Sequence, residues 1–272
     1  MDAASLFSSW PGTRRGLAGL DLSGSEPRIF VEFGDLSGEF ELASITKLVT
    51  ALTTLSCIEG GYLDLDDELD DRGATIRMAL SHAAGYSPDS EEVLAAPATR
   101  RIYSNYGYLA VARQVEARLR MPFSEAVLDF VAQPLGIAST MSEGHPGFGA
   151  KGSIHDVVRL VHGLTSDAVV GDAMRRYLNS VQFDGLVGVL PGFGRMDPCP
   201  WGAGAEIKGH KYPHWSGESF GPSSFGHFGR AGGFVLVDPE RQLGIVALGE
   251  VDFGAWAAAL WPLLTDEVAR LV

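Results

Sequence analysis

Two pairs of apolar runs, one near each end of the chain, limit the fold most strongly. Leu17-Ala18-Gly19-Leu20-Asp21-Leu22 and Arg28-Ile29-Phe30-Val31-Glu32-Phe33 flank the turn cluster Ser23-Gly24-Ser25-Glu26-Pro27. Gly233-Phe234-Val235-Leu236-Val237-Asp238 and Leu243-Gly244-Ile245-Val246-Ala247-Leu248 flank Pro239-Glu240-Arg241-Gln242. Short apolar runs around turn formers read as β-hairpins. Trp201 to Ile207 and Gly226 to Gly229 add strand-like segments in a glycine-dense region.

Between the hairpins the period changes. An apolar helix is predicted from Ser44 to about Glu59, ended by Gly60-Gly61. Thr75 to His82 reads as a short helix and Tyr106 to Arg120 as a longer one. A third covers 123–133, stopped by Pro134-Leu135-Gly136, and a fourth follows the N-cap Ser153. Loops are expected at 86–102 and 138–152, and a last helix at 254–271. Strands, helices, strands and a terminal helix, in that order, predict an α+β fold. Its antiparallel sheet comes from both chain ends (1–74 and 166–272), with an inserted helical lobe at 75–165.

The first helix carries chemistry at its mouth. Ser44-Ile45-Thr46-Lys47 places a hydroxyl and an amine three residues apart, on one helix face. The first turn of a helix also leaves backbone N–H groups unpaired beside a partial positive charge. A serine there has an amine to take its proton and an N–H for an oxyanion, which are the parts of an activated nucleophile. Ser-x-x-Lys also arises in ordinary helices with serine as a cap, so the rest of the chain has to decide.

Composition removes several classes. The chain has 272 residues and a net charge of −13, without the basic footprint that nucleic-acid binding requires. No apolar run reaches the length of a membrane span. Met1-Asp2-Ala3-Ala4-Ser5-Leu6-Phe7 lacks the basic and apolar regions of a signal peptide. A cytoplasmic protein with Cys57 and Cys199 as free thiols is therefore expected. The acidic run Asp64 to Asp71 lacks the glycine and glutamate of a calcium loop and reads as solvated. His210/His214 and His155/His162 lack the companions of a zinc site, and Gly202-Ala203-Gly204 lacks a βαβ unit around it. Neither a metal nor an organic cofactor is expected. The partner expected is a small-molecule substrate; the oligomeric state stays open.

Two further segments complete a pattern. They are Tyr103-Ser104-Asn105 and His227-Phe228-Gly229. Ser-x-x-Lys, Tyr-x-Asn and a late Lys/His-x-Gly strand resemble the serine β-lactamase and penicillin-binding-protein family, including class C β-lactamases, D-alanyl-D-alanine carboxypeptidases and related esterases. Gly60 to Asp67, Thr75-Ile76-Arg77, Leu80 to Gly85 and Pro134 to Ile137 also look like landmarks of that family, in family order.

The resemblance implies a β-lactamase/transpeptidase-like fold and an acyl-enzyme. Ser44 would be the nucleophile, with Lys47 and Tyr103 sharing its proton. The N–H groups of Ser44 and Arg230 would form the oxyanion hole. Asn105, His227, Gly229 and Arg230 would contact substrate, with Asn105 orienting Lys47 or a substrate carbonyl. Without Ser44 and Lys47 beside them, Tyr103 reads as a buried aromatic and Asn105 as a helix N-cap.

The chain also departs from the family pattern. His227 stands where many members carry lysine for a substrate carboxylate, and it retains only the capacity to donate a hydrogen bond. Phe228 replaces a small hydroxyl residue, and Arg230 offers positive charge near the pocket. The helical insert is short, which implies a more open or smaller pocket. The changes at His227 and Phe228 point away from β-lactam hydrolysis, and a small ester or amide is expected. β-Lactamase or D-Ala-D-Ala carboxypeptidase activity, or a non-catalytic binding protein on the same scaffold, are the alternatives. Trp201, Trp215, Phe220 and Phe225 are candidates for pocket walls.

Overall fold

The computed structural model describes residues 1–137, 141 and 144–272. Residues 138–140 and 142–143, within the loop predicted at 138–152, lie outside the described residues. The fold combines an antiparallel sheet with helices. Its strands are β1 (Arg15–Asp21), β2 (Arg28–Gly34), β3 (Phe40–Glu41), β4 (Lys151–Gly152), β5 (Gly188–Leu190), β6 (Gly194–Met196), β7 (Glu206–Ile207), β8 (Phe225–Gly229), β9 (Gly233–Asp238) and β10 (Leu243–Gly249). Among the described residues six of them form one sheet in the order β2-β1-β10-β9-β8-β7. The join between the two predicted hairpins is β1 against β10, antiparallel from Arg15↔Gly249 to Asp21↔Leu243.

The helices are α1 (Ala3–Ser8), α2 (Thr46–Glu59), α3 (Ile76–Leu80), α4 (Asn105–Leu119), α5 (Phe123–Val127), α6 (Gln133–Leu135), α7 (Ile154–Thr165), α8 (Asp172–Asn179) and α9 (Ala255–Ala269). They cover both faces of the sheet, which is why β9 and β10 are buried at every position and show no polar alternation. Side chains still sort by the period of two. Val235, Val237, Val246 and Leu248 join the cluster that holds α2, while Phe234, Leu236, Ile245 and Ala247 join the cluster of Trp10, Trp215 and Trp261. Trp261 is fully buried, with ring centroids 5.0 Å from Phe234, 5.3 Å from Phe253 and 5.8 Å from Trp10. Trp261→Ala is expected to cost about 3–5 kcal/mol, read as a lowered urea midpoint at unchanged slope.

Helix α2 is buried on nearly every side, as a helix apolar all round should be. Its polar interior residues satisfy themselves locally: Thr53 and Thr54 donate to the carbonyls of Val49 and Thr50 at 2.9 and 2.8 Å. The boundaries differ from expectation in four places. Ser44 lies in a 3-10 turn, Ala43–Ile45, that precedes α2. A π-helical turn, Leu128–Ala132, joins α5 to α6, and the helix runs through Pro134 to end at Gly136. Trp201 touches the sheet only as a bridge to Glu206. Helices α1 and α8 and the β5–β6 hairpin form where no element was expected. Among the described residues no helix is long and apolar enough to cross a membrane.

Candidate active site

The chain enters the site under tight control. The Leu42 N–H donates to the Ala150 carbonyl at 2.9 Å, and Ala43 then adopts φ 45°, a left-handed conformation that costs a non-glycine residue free energy. Thr46 locks the turn: its hydroxyl donates to the Ala43 carbonyl at 2.6 Å and accepts from the Ala150 N–H at 3.1 Å. Ser44 is half-buried on this turn.

Lys47 is fully buried. Its Nζ lies 3.3 Å from Ser44 Oγ, 2.6 Å from Asn105 Oδ1 and 2.7 Å from the Gly147 carbonyl oxygen. Burial pulls the amine down from 10.5 to about 7, against the opposing charge of Asp89. Near neutral pH a large fraction is therefore an uncharged base.

Tyr103 brings its ring 4.7 Å from Lys47 Nζ, and its hydroxyl hydrogen-bonds Ser44. Burial pushes the phenol well above its usual range despite that bond, so it is a neutral O–H near pH 7. Asn105 is not the cap of its helix. Ser104 is, accepting the Gly107 N–H at 3.0 Å. The Asn105 amide is thereby free to bridge Lys47 and Asp89, donating from Nδ2 to Asp89 Oδ1 at 2.8 Å.

The third segment is strand β8. Its alternation puts Phe225, His227 and Gly229 on the α2 face, opposite Val237, Val235 and Gly233 of β9. Gly229 abuts the Ser44 turn so closely that a Cβ there would lie 2.5 Å from the Leu42 carbonyl oxygen. His227 is buried, and its Nδ1 donates to its neighbour's carbonyl, Phe228 O, at 2.7 Å. Burial takes its pKa to about 3, so the ring is neutral and Nε2 is an acceptor. This corrects the expectation that His227 donates to a substrate carboxylate: its one N–H is already engaged. Arg230 stands at the cavity, its charge shared with Asp252. The guanidinium is 86% exposed and pairs with Asp252 at 3.1 Å.

Ser44, Tyr103, Asn105, His227 and Arg230 line one cavity of about 350 Å³. Its other walls are Leu190, Pro191 and Gly192 from the β5–β6 hairpin, with Trp201, Glu206, Phe228 and Phe253. Trp201 is a wall as anticipated, whereas Trp215, Phe220 and Phe225 are buried packing.

A β-lactamase family model matches residues 39–269. The chain belongs to the β-lactamase family. A β-lactamase from Mycobacterium bovis is 37% identical over 99% of this chain and 98% of its own, with a TM-score of 0.94. EstCE1, described as a hydrolase with promiscuous acyltransferase activity, is 18% identical over 93% of each chain, with a TM-score of 0.74. The octameric penicillin-binding protein homologue from Pyrococcus abyssi is 17% identical over 97% of this chain and 77% of its own, with a TM-score of 0.70. The last two similarities concern the fold alone. No match is found among curated proteins.

Several residues of this β-lactamase-family site carry no sequence signal. Gly147 supplies only a carbonyl, and Asp89 acts through Asn105. Glu206 is a buried carboxylate that accepts from Lys211 Nζ, His214 Nε2 (3.0 Å) and Trp215 Nε1 (3.0 Å). The Lys211 charge and the His214 and Lys211 hydrogen bonds hold it ionised despite burial. The spacing of His214 from His210 suggested only a failed metal pair, and among the described residues no metal-binding cluster is found.

Proposed function

We propose that this protein is a serine hydrolase acting through an acyl-enzyme on a small ester or amide with an apolar, uncharged acyl group. The observation that carries the reading is the buried Lys47 amine, lowered to about 7 and 3.3 Å from Ser44 Oγ. Ser44 Oγ attacks the substrate carbonyl carbon as its proton passes to Lys47 Nζ. Lys47 is the base rather than Tyr103, because a phenol raised by burial yields its proton at greater cost than a depressed ammonium. The Tyr103 hydroxyl relays a proton to the leaving group. The N–H groups of Ser44 and Arg230 hold the oxyanion, and water then cleaves the acyl-enzyme by the reverse proton path.

The walls support the acyl preference. Leu190, Pro191, Trp201, Phe228 and Phe253 are apolar, His227 is neutral, and the Arg230 charge at the rim is exposed to solvent and paired with Asp252. A substrate carboxylate gains little from this set. Gly229→Ala is expected to lower kcat about 10²-fold with KM little changed, because the added Cβ moves β8 away from the Ser44 turn. Steady-state kinetics with p-nitrophenyl butyrate measure this.

The M. bovis relative, described as a β-lactamase, favours β-lactam hydrolysis as a second reading. Intact mass after treatment with a fluorophosphonate, with Ser44→Ala as control, tests for an activated serine. Turnover of p-nitrophenyl butyrate against a chromogenic cephalosporin then separates the two. No adduct on a folded protein would sink both in favour of a binding role.

A further inference from the structure

Tyr103 lies just ahead of α4, next to the extended N-cap Ser104, and one residue from another segment grips it on both sides. His82 sits just past α3. Its carbonyl accepts the N–H of Ile102 at 2.9 Å, and its Nδ1 accepts the N–H of Ser104 at 3.1 Å. Its ring lies against the Tyr103 ring at 4.4 Å between centroids, and Lys47 Nζ lies 4.7 Å from the centre of that same ring. Trp201 braces the imidazole edge-on at 4.7 Å. The residues before and after Tyr103, and the phenol itself, are thus all held by one side chain and its own carbonyl.

The conformation of His82 points the same way. It is buried, and its φ is 60°. A side chain in the left-handed region costs about 1–3 kcal/mol and persists where the surroundings over-determine it. The right-handed alternative would carry the carbonyl and the ring away from the Ile102–Ser104 segment together. Burial keeps the imidazole neutral, so Nδ1 has the free lone pair that the Ser104 N–H requires and the proton sits on Nε2.

We propose that His82 is the positioning residue of the site: it sets where the Tyr103 hydroxyl meets Ser44. This rests on the acyl-enzyme reading. His82 touches neither substrate nor Ser44, and acts through Tyr103.

The test is the rate of acylation by p-nitrophenyl butyrate in single turnover, with KM, thermal midpoint and fluorophosphonate labelling alongside. His82→Phe keeps a ring but loses the acceptor. It is expected to slow acylation about 10²-fold with KM within about threefold. Tyr103→Phe in the His82→Phe background is expected to cost less than about a tenth of its cost in the parent, because the phenol is already misplaced. His82→Asn restores an acceptor and tolerates the left-handed backbone, and is expected to recover acylation to within about tenfold of the parent.

Additive losses in the double variant, or parental acylation rates with only a lowered thermal midpoint, would overturn the proposal. Should His82→Phe not fold, His82→Asn against His82→Ala carries the test: equal rates overturn it, and faster acylation by His82→Asn supports it. A parent that forms no Ser44 adduct removes the acyl-enzyme reading and this inference together. A normal adduct with indifferent His82 variants removes this inference alone.

Discussion

Replacing Ser44 by alanine is expected to lower kcat/KM for p-nitrophenyl butyrate by about 10⁴-fold or more and to abolish the fluorophosphonate adduct. Removing the nucleophile of an acyl-transfer triad leaves only binding and oxyanion stabilisation, and the members of such a unit fail together. The fold is expected to survive. Ser44 is half-buried, and its turn is fixed by Thr46 and by the Leu42–Ala150 hydrogen bond, neither of which uses the Ser44 hydroxyl. An unchanged thermal midpoint with lost turnover would assign the defect to chemistry. Residual turnover above about a tenth of the parent, far beyond what a missing nucleophile allows, would show that another group attacks.

Replacing Lys47 by methionine is expected to lower kcat about 10³-fold, within the range of general-base catalysis, and to remove the acid limb of the pH–rate profile. In the parent that limb should lie near pH 7, with kcat/KM rising as pH increases, because the neutral amine is the active form and burial sets its pKa at about 7. Stability should respond in the same window. Below about pH 7 the folded protein holds a buried ammonium and bears the full desolvation penalty. Between there and 10.5 the unfolded chain binds a proton that the folded one does not, so stability rises with pH. Lys47→Met should flatten that contribution, read from urea unfolding at pH 6.5 and pH 9. An acid limb unchanged in Lys47→Met would transfer the base role to another group.

Much of the scaffold was legible because it follows from patterning. The β1–β2 and β9–β10 hairpins announce themselves by apolar runs around turn residues, and α7 by Ser153, whose capping box with Asp156 is formed. Ser44 and Lys47 were visible through their spacing, although that spacing suggested a helical turn and the strained Ala43 converts it to a 3-10 turn. The rest depends on tertiary position. Asn105 was ambiguous until Ser104 took the cap. His227 reads as a donor until its N–H is seen turned onto Phe228 O, and the pairing of the exposed Arg230 side chain with Asp252 has no mark in the sequence. The β5–β6 hairpin spans few residues per strand, too few for any period to emerge.

The pairing of β1 with β10 also bears on how the molecule assembles. Gly16 meets Leu248 across the sheet, so an inner strand laid down early in synthesis has no partner on that edge until nearly the whole chain exists. Closure of so long a loop is entropically costly and kinetically slow. β8, which abuts the Ser44 turn through Gly229, is the third strand beyond that seam. A nascent chain therefore holds Ser44 in an unfinished setting, and the proposed hydrolytic competence arrives with the last strand rather than growing with length.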